Sequence, residues 1–166
     1  MRNDMKTDAE KFSEACTLEE EGKYAEALQI YLALAERGDT GAMLNAAGLY
    51  SGGRGVEIDY DKAMELEKRA ADAGETHAFY NLAVSYRHLG DIRQARHWFE
   101  KAFASEEGGD GSAALALAKL YMVSDKETDT VIKYLRVACA CEPYETISLD
   151  EFEEAQRLLA EFQTDS

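Results

Sequence analysis

The stretch Gly38-Asp39-Thr40-Gly41-Ala42-Met43-Leu44-Asn45-Ala46-Ala47-Gly48-Leu49-Tyr50 decides the fold, because its landmarks return twice downstream. Gly38-Asp39, Gly74-Glu75 and Gly109-Asp110 stand 36 and then 35 residues apart, and Tyr50, Tyr86 and Tyr121 keep the same two spacings. Ala42, Ala78 and Ala113 follow suit, as do Ala47, Ala83 and Ala118. A period of this length marks a stack of supersecondary units, each too small to bury its own apolar face. Between the landmarks the residues are helix formers such as Ala, Leu, Glu, Lys and Gln, with Pro143 the only proline. Ala27, Ile30, Leu34 and Ala35 form one stripe of a helical period, and no stretch alternates as a strand would.

The reading is an all-α, αα-superhelical solenoid of about four helix pairs plus a C-terminal capping helix. The pairs run from about Asp8 to Arg37, Thr40 to Ala73, Thr76 to roughly Glu106 and Gly111 to Cys141. Their turns fall at Gly22-Lys23, Ser51–Asp59, Gly90-Asp91 and near Ser124–Asp129. A ninth helix opens at Ser148 as N-cap, with Glu151 completing a capping box and Ile147 and Phe152 forming a hydrophobic staple. Residues 8–163 form a single repeat domain, with flexible ends at 1–7 and 164–166.

Composition narrows the function class. The 166 residues carry 33 acidic and 18 basic side chains, a formal charge of -15. That balance argues against nucleic acid, which needs a basic footprint, and against anionic membranes. No apolar run can span a bilayer, and the start lacks a signal-peptide core, so a cytoplasmic location is expected. Residues 110–166 hold 12 acidic against 5 basic side chains, a field that steers a basic partner. Plain solubility explains the same excess.

No catalytic apparatus emerges. Ser51-Gly52-Gly53-Arg54-Gly55 lacks the Gly-Lys-Ser/Thr and the preceding strand of a phosphate loop, so its glycines serve a wide turn. His77, His88 and His97 have no metal-site spacing, and no metal or cofactor is expected. Cys139 and Cys141 point roughly 200° apart on a helix, and Cys139 is assigned a buried small position beside Ala70 and Ala102. Cys16 carries no redox signal. Glu19-Glu20-Glu21 and Glu153-Glu154 read as solvated faces, or as an acidic partner surface made of Glu19, Glu20, Asp150, Glu153 and Glu154.

The second unit resembles a Sel-one-like repeat (SLR), an offshoot of the tetratricopeptide (TPR) class. The resemblance rests on residues 42–50, Gly53-Arg54-Gly55-Val56, Asp59-Tyr60, Lys62-Ala63, Ala70-Ala71 and Gly74. Leu66 stands where the family usually has Trp, which returns as Trp98 in the third unit. The first and third units are more TPR-like, the fourth is degenerate, and the repeats cover about residues 8–142. The resemblance implies a solenoid that binds proteins or peptides without catalysis, in a family that includes bacterial secretion and virulence factors and regulatory adaptors.

It also implies a concave partner-binding face on the first helix of each pair. Leu44, Asn45, His77, Tyr80, Asn81, Val84, Arg87, His88, Lys119 and Met122 carry over to that face, with Phe12, Glu19, Gly48 and Leu115 beside them. Tyr and Arg are frequent interface anchors. The expected partner is another protein, basic in character, or an extended peptide. Two readings follow: an acidic immunity or inhibitor protein for a basic nuclease-type toxin, and an adaptor holding a peptide in the groove. Charge, length and the lack of a second effector domain in these residues motivate the first.

Overall fold

The computed structural model describes residues 6–105, 109–124 and 128–164, without the side chains of residues 124, 163 and 164. Among the described residues there are nine helices and no strand: α1 (Asp8–Glu20), α2 (Tyr24–Ala35), α3 (Thr40–Gly52), α4 (Tyr60–Asp72), α5 (His77–His88), α6 (Ile92–Ser105), α7 (Gly111–Ser124), α8 (Thr128–Ala140) and α9 (Leu149–Thr164). The fold is an all-α helical repeat of the solenoid class, with helix limits close to those read from the sequence. Glu106, the expected end of the third pair, and residues 125–127 of the fourth turn lie outside the described residues. So do residues 1–5, 165 and 166, within the ends expected to be flexible. Thr7, in the same expectation, is the N-cap of α1 and forms a full capping box with Glu10.

The stretch read as one domain divides into two compact units, Met1–Ala78 and Phe79–Ser166, with the division in the first turn of α5. In the first unit α2 and α3 pack together, and each also packs on its pair mate, α1 or α4. In the second, α7 packs between α6 and α8, and α9 lies on α8 with a smaller contact on α7.

The second helices show why the repeat holds. Ala27, Ala63, Ala95 and Val131 are all buried, as are Leu34, Ala70, Ala102 and Ala138. Ala138, not Cys139, therefore takes the small buried position. This corrects the sequence assignment by one residue, about 100° around the helix. Cys139 is half-buried, and burial, with Cys141 beside it, pushes its thiol pKa up.

The joints between pairs are short and reused. Gly38 has φ 91°, its N–H donates to Ala35 O at 3.0 Å, and Asp39 N–H donates to Leu34 O at 3.2 Å. This is a Schellman stop, which needs the left-handed conformation that glycine adopts without a Cβ penalty. Asp39 then caps the next helix, accepting from Ala42 N–H at 2.8 Å. Gly74 and Gly109 repeat that φ at 90° and 94°, and Asp110 accepts from Ala113 N–H at 2.6 Å. Across pairs, Arg69 of α4 donates to Ala35 O at the end of α2 and pairs with Glu36, both at 3.0 Å.

The glycine-rich segment after α3 is structural. Gly55 has φ 71°, and a Cβ there would overlap the backbone of Tyr24 and Ala25 at the start of α2. Arg54 lies over the Tyr24 ring at 5.3 Å and reaches Glu19 at 3.2 Å. The loop thus seals the turn of the preceding pair.

Candidate functional site

In the first unit the first helices α1 and α3 meet where Phe12 would touch a Cβ on Gly41 at 3.4 Å. Their shared face is open at Gly48, where an added Cβ would meet nothing within 4 Å. Leu44 and Asn45 are half-buried beside it. Beneath lies Tyr31 of α2, fully buried, with its ring 5.7 Å from that of Phe12. Its hydroxyl sits 3.4 Å from Cys16 Sγ and 3.2 Å from Glu19 Oε2, and it also bonds the Asn45 side chain. Burial and the bond to Cys16 drive the Tyr31 pKa far up, so the phenol is neutral.

Asn45 therefore ties α3 to α2, its side chain engaged by a core hydroxyl and not free for the partner-binding role implied by the resemblance. Glu19 is also drawn inward, held by Tyr31 and Arg54. The solvated-face reading of Glu19-Glu20-Glu21 needs correction there: Glu19 is half-buried, Glu20 is exposed, and Glu21 pairs with Lys23 at 2.7 Å. The cause is the unmet hydrogen-bonding capacity of a buried tyrosine hydroxyl next door. At the end of the unit, Glu75 accepts from Thr40 at 3.1 Å and meets Nδ1 of the exposed His77 at 2.9 Å. The His77 bond is the main reason the Glu75 carboxyl lies below its ordinary range.

In the second unit the candidate residues stand on α5, α7 and α9. Tyr80 packs edge-on against the buried Phe99, with centroids 5.3 Å apart. Arg87 is exposed and lies 5.8 Å from the same ring, and His88 is exposed beside it. Asn81 and Val84 are half-buried. Burial raises the Tyr80 pKa, helped by the negative charge of Glu151 and opposed by Arg87.

Leu115 departs from its expected groove position: it is 1% exposed, within an α7 whose residues 113–118 are all buried. Lys119 and Met122 are half-buried. The Lys119 ammonium meets Glu154 of α9 at 2.5 Å, and Ser112 donates to Glu151 at 2.9 Å. Lys119 and Glu154, assigned from sequence to two separate surfaces, are thus bonded to each other, because α9 settles against α7. Of the five acidic candidates, Glu20, Asp150 and Glu153 are exposed and show no ion pair among the described residues, whereas Glu19 and Glu154 do.

The start of α9 follows its sequence signal. Ser148 N–H donates to Glu151 Oε2 at 3.1 Å, and Glu151 N–H donates back to Ser148 Oγ at 3.3 Å. Ile147 is buried, and Phe152 packs on the same cluster. The connector before it is pinned to α7, where Gly111 N–H donates to Thr146 Oγ1 and Ser112 N–H to Thr146 O. Sequence reasoning missed Tyr144, which has φ 74° and is 78% exposed in this connector. Pro143 before it was the available signal, since proline favours the first central position of a turn. Also unforeseen is a depression of about 370 Å³ on α6, lined by Asp91, Arg93, Gln94 and His97.

Among the described residues no three His, Cys, Asp or Glu side chains gather as metal ligands. No helix there is long and apolar enough to cross a membrane.

No protein-family model matches the chain, and no curated protein matches it. Solved structures do. A Sel1 repeat protein from Oxalobacter formigenes superposes with a TM-score of 0.68 at 17% identity, over 93% of this chain and 73% of that one. The protective antigen c5321 of uropathogenic Escherichia coli, which displays an SLR fold, gives 0.68 at 22% identity, over 83% of this chain and 28% of that one. A MamA protein gives 0.65 at 18% identity, over 95% and 86% of the two chains. At these identities the likeness concerns the fold, and the fold of this chain is that of the SLR and TPR-like helical repeats.

Proposed function

We propose that the chain is a non-catalytic protein-binding module whose partner is a basic protein. In its sharper form it is an immunity or inhibitor protein that covers the cationic substrate groove of a nuclease-type toxin. The observation that carries this reading is the fate of the charges. Lys6, Lys23, Arg37, Arg54, Lys62, Arg69 and Lys119 are engaged by carboxylates of the chain itself. Glu20, Glu142, Glu145, Asp150 and Glu153 stand exposed with no such partner among the described residues. The bases Lys68, Arg93, Arg136 and Arg157 do too, yet the 33 acidic against 18 basic side chains leave the balance strongly negative. An excess of unpaired surface carboxylate accelerates association with a cationic protein and makes it salt-dependent.

The test is capture of partners by the tagged protein from its native lysate at low and high salt, with identification by mass spectrometry. One stoichiometric basic protein, weakened by salt and inhibited in a nuclease assay, supports the reading. Several neutral or acidic proteins retained at both salts overturn it.

A second reading, an adaptor for an extended peptide, is favoured by Tyr80, Arg87 and His88, which place an aromatic ring beside two exposed nitrogen side chains on the α5 face. Loss of binding on Tyr80→Ala with Arg87→Ala, and indifference to charge reversal at Asp150 and Glu153, would select it. Loss on those reversals alone would select the first.

A further inference from the structure

α9 occupies the place of a first helix in a pair. It lies on the preceding second helix α8 as α3 lies on α2 and α7 on α6. The other two are then covered on their second side by their mates, α4 and α8. α3 accordingly buries Ala42, Met43, Ala46, Ala47, Leu49 and Tyr50, and α7 buries every residue from Ala113 to Ala118. Among the described side chains of α9 only Ala155 is buried. Among the described residues no helix stands against α9 where α4 and α8 stand against α3 and α7.

The uncovered side carries a stripe in a helical register that is apolar except for Gln156, its inner edge packed on the core and its outer edge exposed at Leu149 and Ala160. Leu149, Phe152, Gln156, Leu159 and Ala160 fall at i, i+3, i+7, i+10 and i+11, one stripe along the helix. Leu149 is 40% exposed, Gln156 and Ala160 are exposed, and Phe152 and Leu159 are half-buried at the margin of the core. Around the rest of the helix surface stand the exposed Asp150, Glu153 and Glu161, against a single base, Arg157. A second copy of α9 would bring these carboxylates against their own kind, and like charges across an interface cost affinity. A helix with the same apolar stripe and basic flanks meets both features at once.

We infer that the open side of α9 is the docking site for a basic amphipathic helix of the protein partner, which packs there as the second helix of a fifth pair. This deepens the reading proposed above and rests on it for the partner's charge. The recognition mode is a helix laid along an apolar groove through anchors one turn apart.

The experiment uses two labelled Leu/Lys peptides of identical composition, one with Leu in a heptad stripe and one scrambled. Binding to the full chain is read by fluorescence anisotropy, and peptide helicity by circular dichroism. The striped peptide is expected to gain helicity and to bind about tenfold tighter than the scrambled one. Leu149→Lys with Ala160→Lys should remove that preference, whereas Glu26→Lys, the same charge change on exposed α2 surface, should leave it intact. Equal binding of the two peptides overturns the inference, as does an equal loss in the α2 control. A dimer in sedimentation equilibrium that Leu149→Lys converts to monomer overturns it in favour of a second copy. If a basic partner is captured from lysate but the striped peptide shows no preference, the inference falls and the proposed function stands. If the peptide docks on α9 but no basic protein is captured, the function falls instead.

Discussion

Lys119 of α7 and Glu154 of α9 meet at 2.5 Å, and this pair, with Ser112 and Glu151 nearer the helix starts, orients the last helix on its neighbour. Both side chains keep substantial solvent exposure, 41% and 32%. Solvent screening therefore limits what the pair adds. A double-mutant cycle with Lys119→Met and Glu154→Gln is expected to give a coupling of under about 1 kcal/mol, shrinking as salt is raised. Urea denaturation at two salt concentrations measures it, and a coupling of several kcal/mol insensitive to salt would contradict the assignment.

Gly55 carries a sharper penalty. Its φ of 71° and the overlap of any Cβ with Tyr24 and Ala25 backbone leave no room for a side chain. Gly55→Ala should destabilise by about 2 kcal/mol or more, since both conformation and packing oppose it. Gly52→Ala is the comparison: there a Cβ meets only the Arg54 side chain, at 3.5 Å and beyond. It should change the urea midpoint little, and equal losses at the two sites would argue against the close approach.

Tyr144 presents the opposite case. Its N–H donates to Ile147 O at 2.8 Å while φ stands at 74°, a conformation costly for a bulky residue. The side chain is 78% exposed, so little packing is at stake. Tyr144→Gly should raise stability by about 1 kcal/mol. A loss of stability in thermal or urea unfolding would show that the ring makes a contact in solution.

Acid sensitivity should follow the carboxylates. The Glu75 carboxyl is held low chiefly by the His77 ring. For Glu151 burial acts in the raising direction, yet the bonds from Ser148 and Ser112 and the charge of Lys119 outweigh it, and the net shift is downward. A carboxyl depressed in the folded state contributes stability above its unfolded pKa, and that contribution disappears as pH falls through the folded value. Urea midpoints should therefore hold steady down to about pH 4.5 and decline below it. Glu151→Gln should lower the midpoint at neutral pH and flatten the decline, and an acid limb parallel to that of the parent would refute the assignment.

Much of this fold was legible because its signals are local. The Gly-Asp joints, the Ser148–Glu151 box and the Ala27–Leu34 stripe each fall within a few residues, and the structure repeats them where the spacing put them. Side-chain partners across helices were not legible. Nothing around Glu19 announces Tyr31, which lies 12 residues on, and nothing around Lys119 announces Glu154, 35 residues on. Cys139 was misplaced for another reason. Pair lengths differ among the repeats, so an alignment good to one residue is still wrong by 100° of helix. The expected binding residues divide accordingly: Arg87, His88, Asp150 and Glu153 remain exposed, while Asn45, Glu19, Lys119 and Glu154 are engaged inside the chain.

The joint at Gly38-Asp39 has a consequence for how such a chain tolerates change in length. One residue ends α2, and the next both closes that stop and starts α3, so an insertion there would undo two helix termini together. The opposite edge has slack: residues 21–23 suffice between α1 and α2, whereas residues 53–59 link α3 to α4. Growth by insertion is thus confined to the turns within pairs. A pair transplanted whole, from one left-handed glycine to the next, carries its own start and stop and is the natural unit for recombining this architecture.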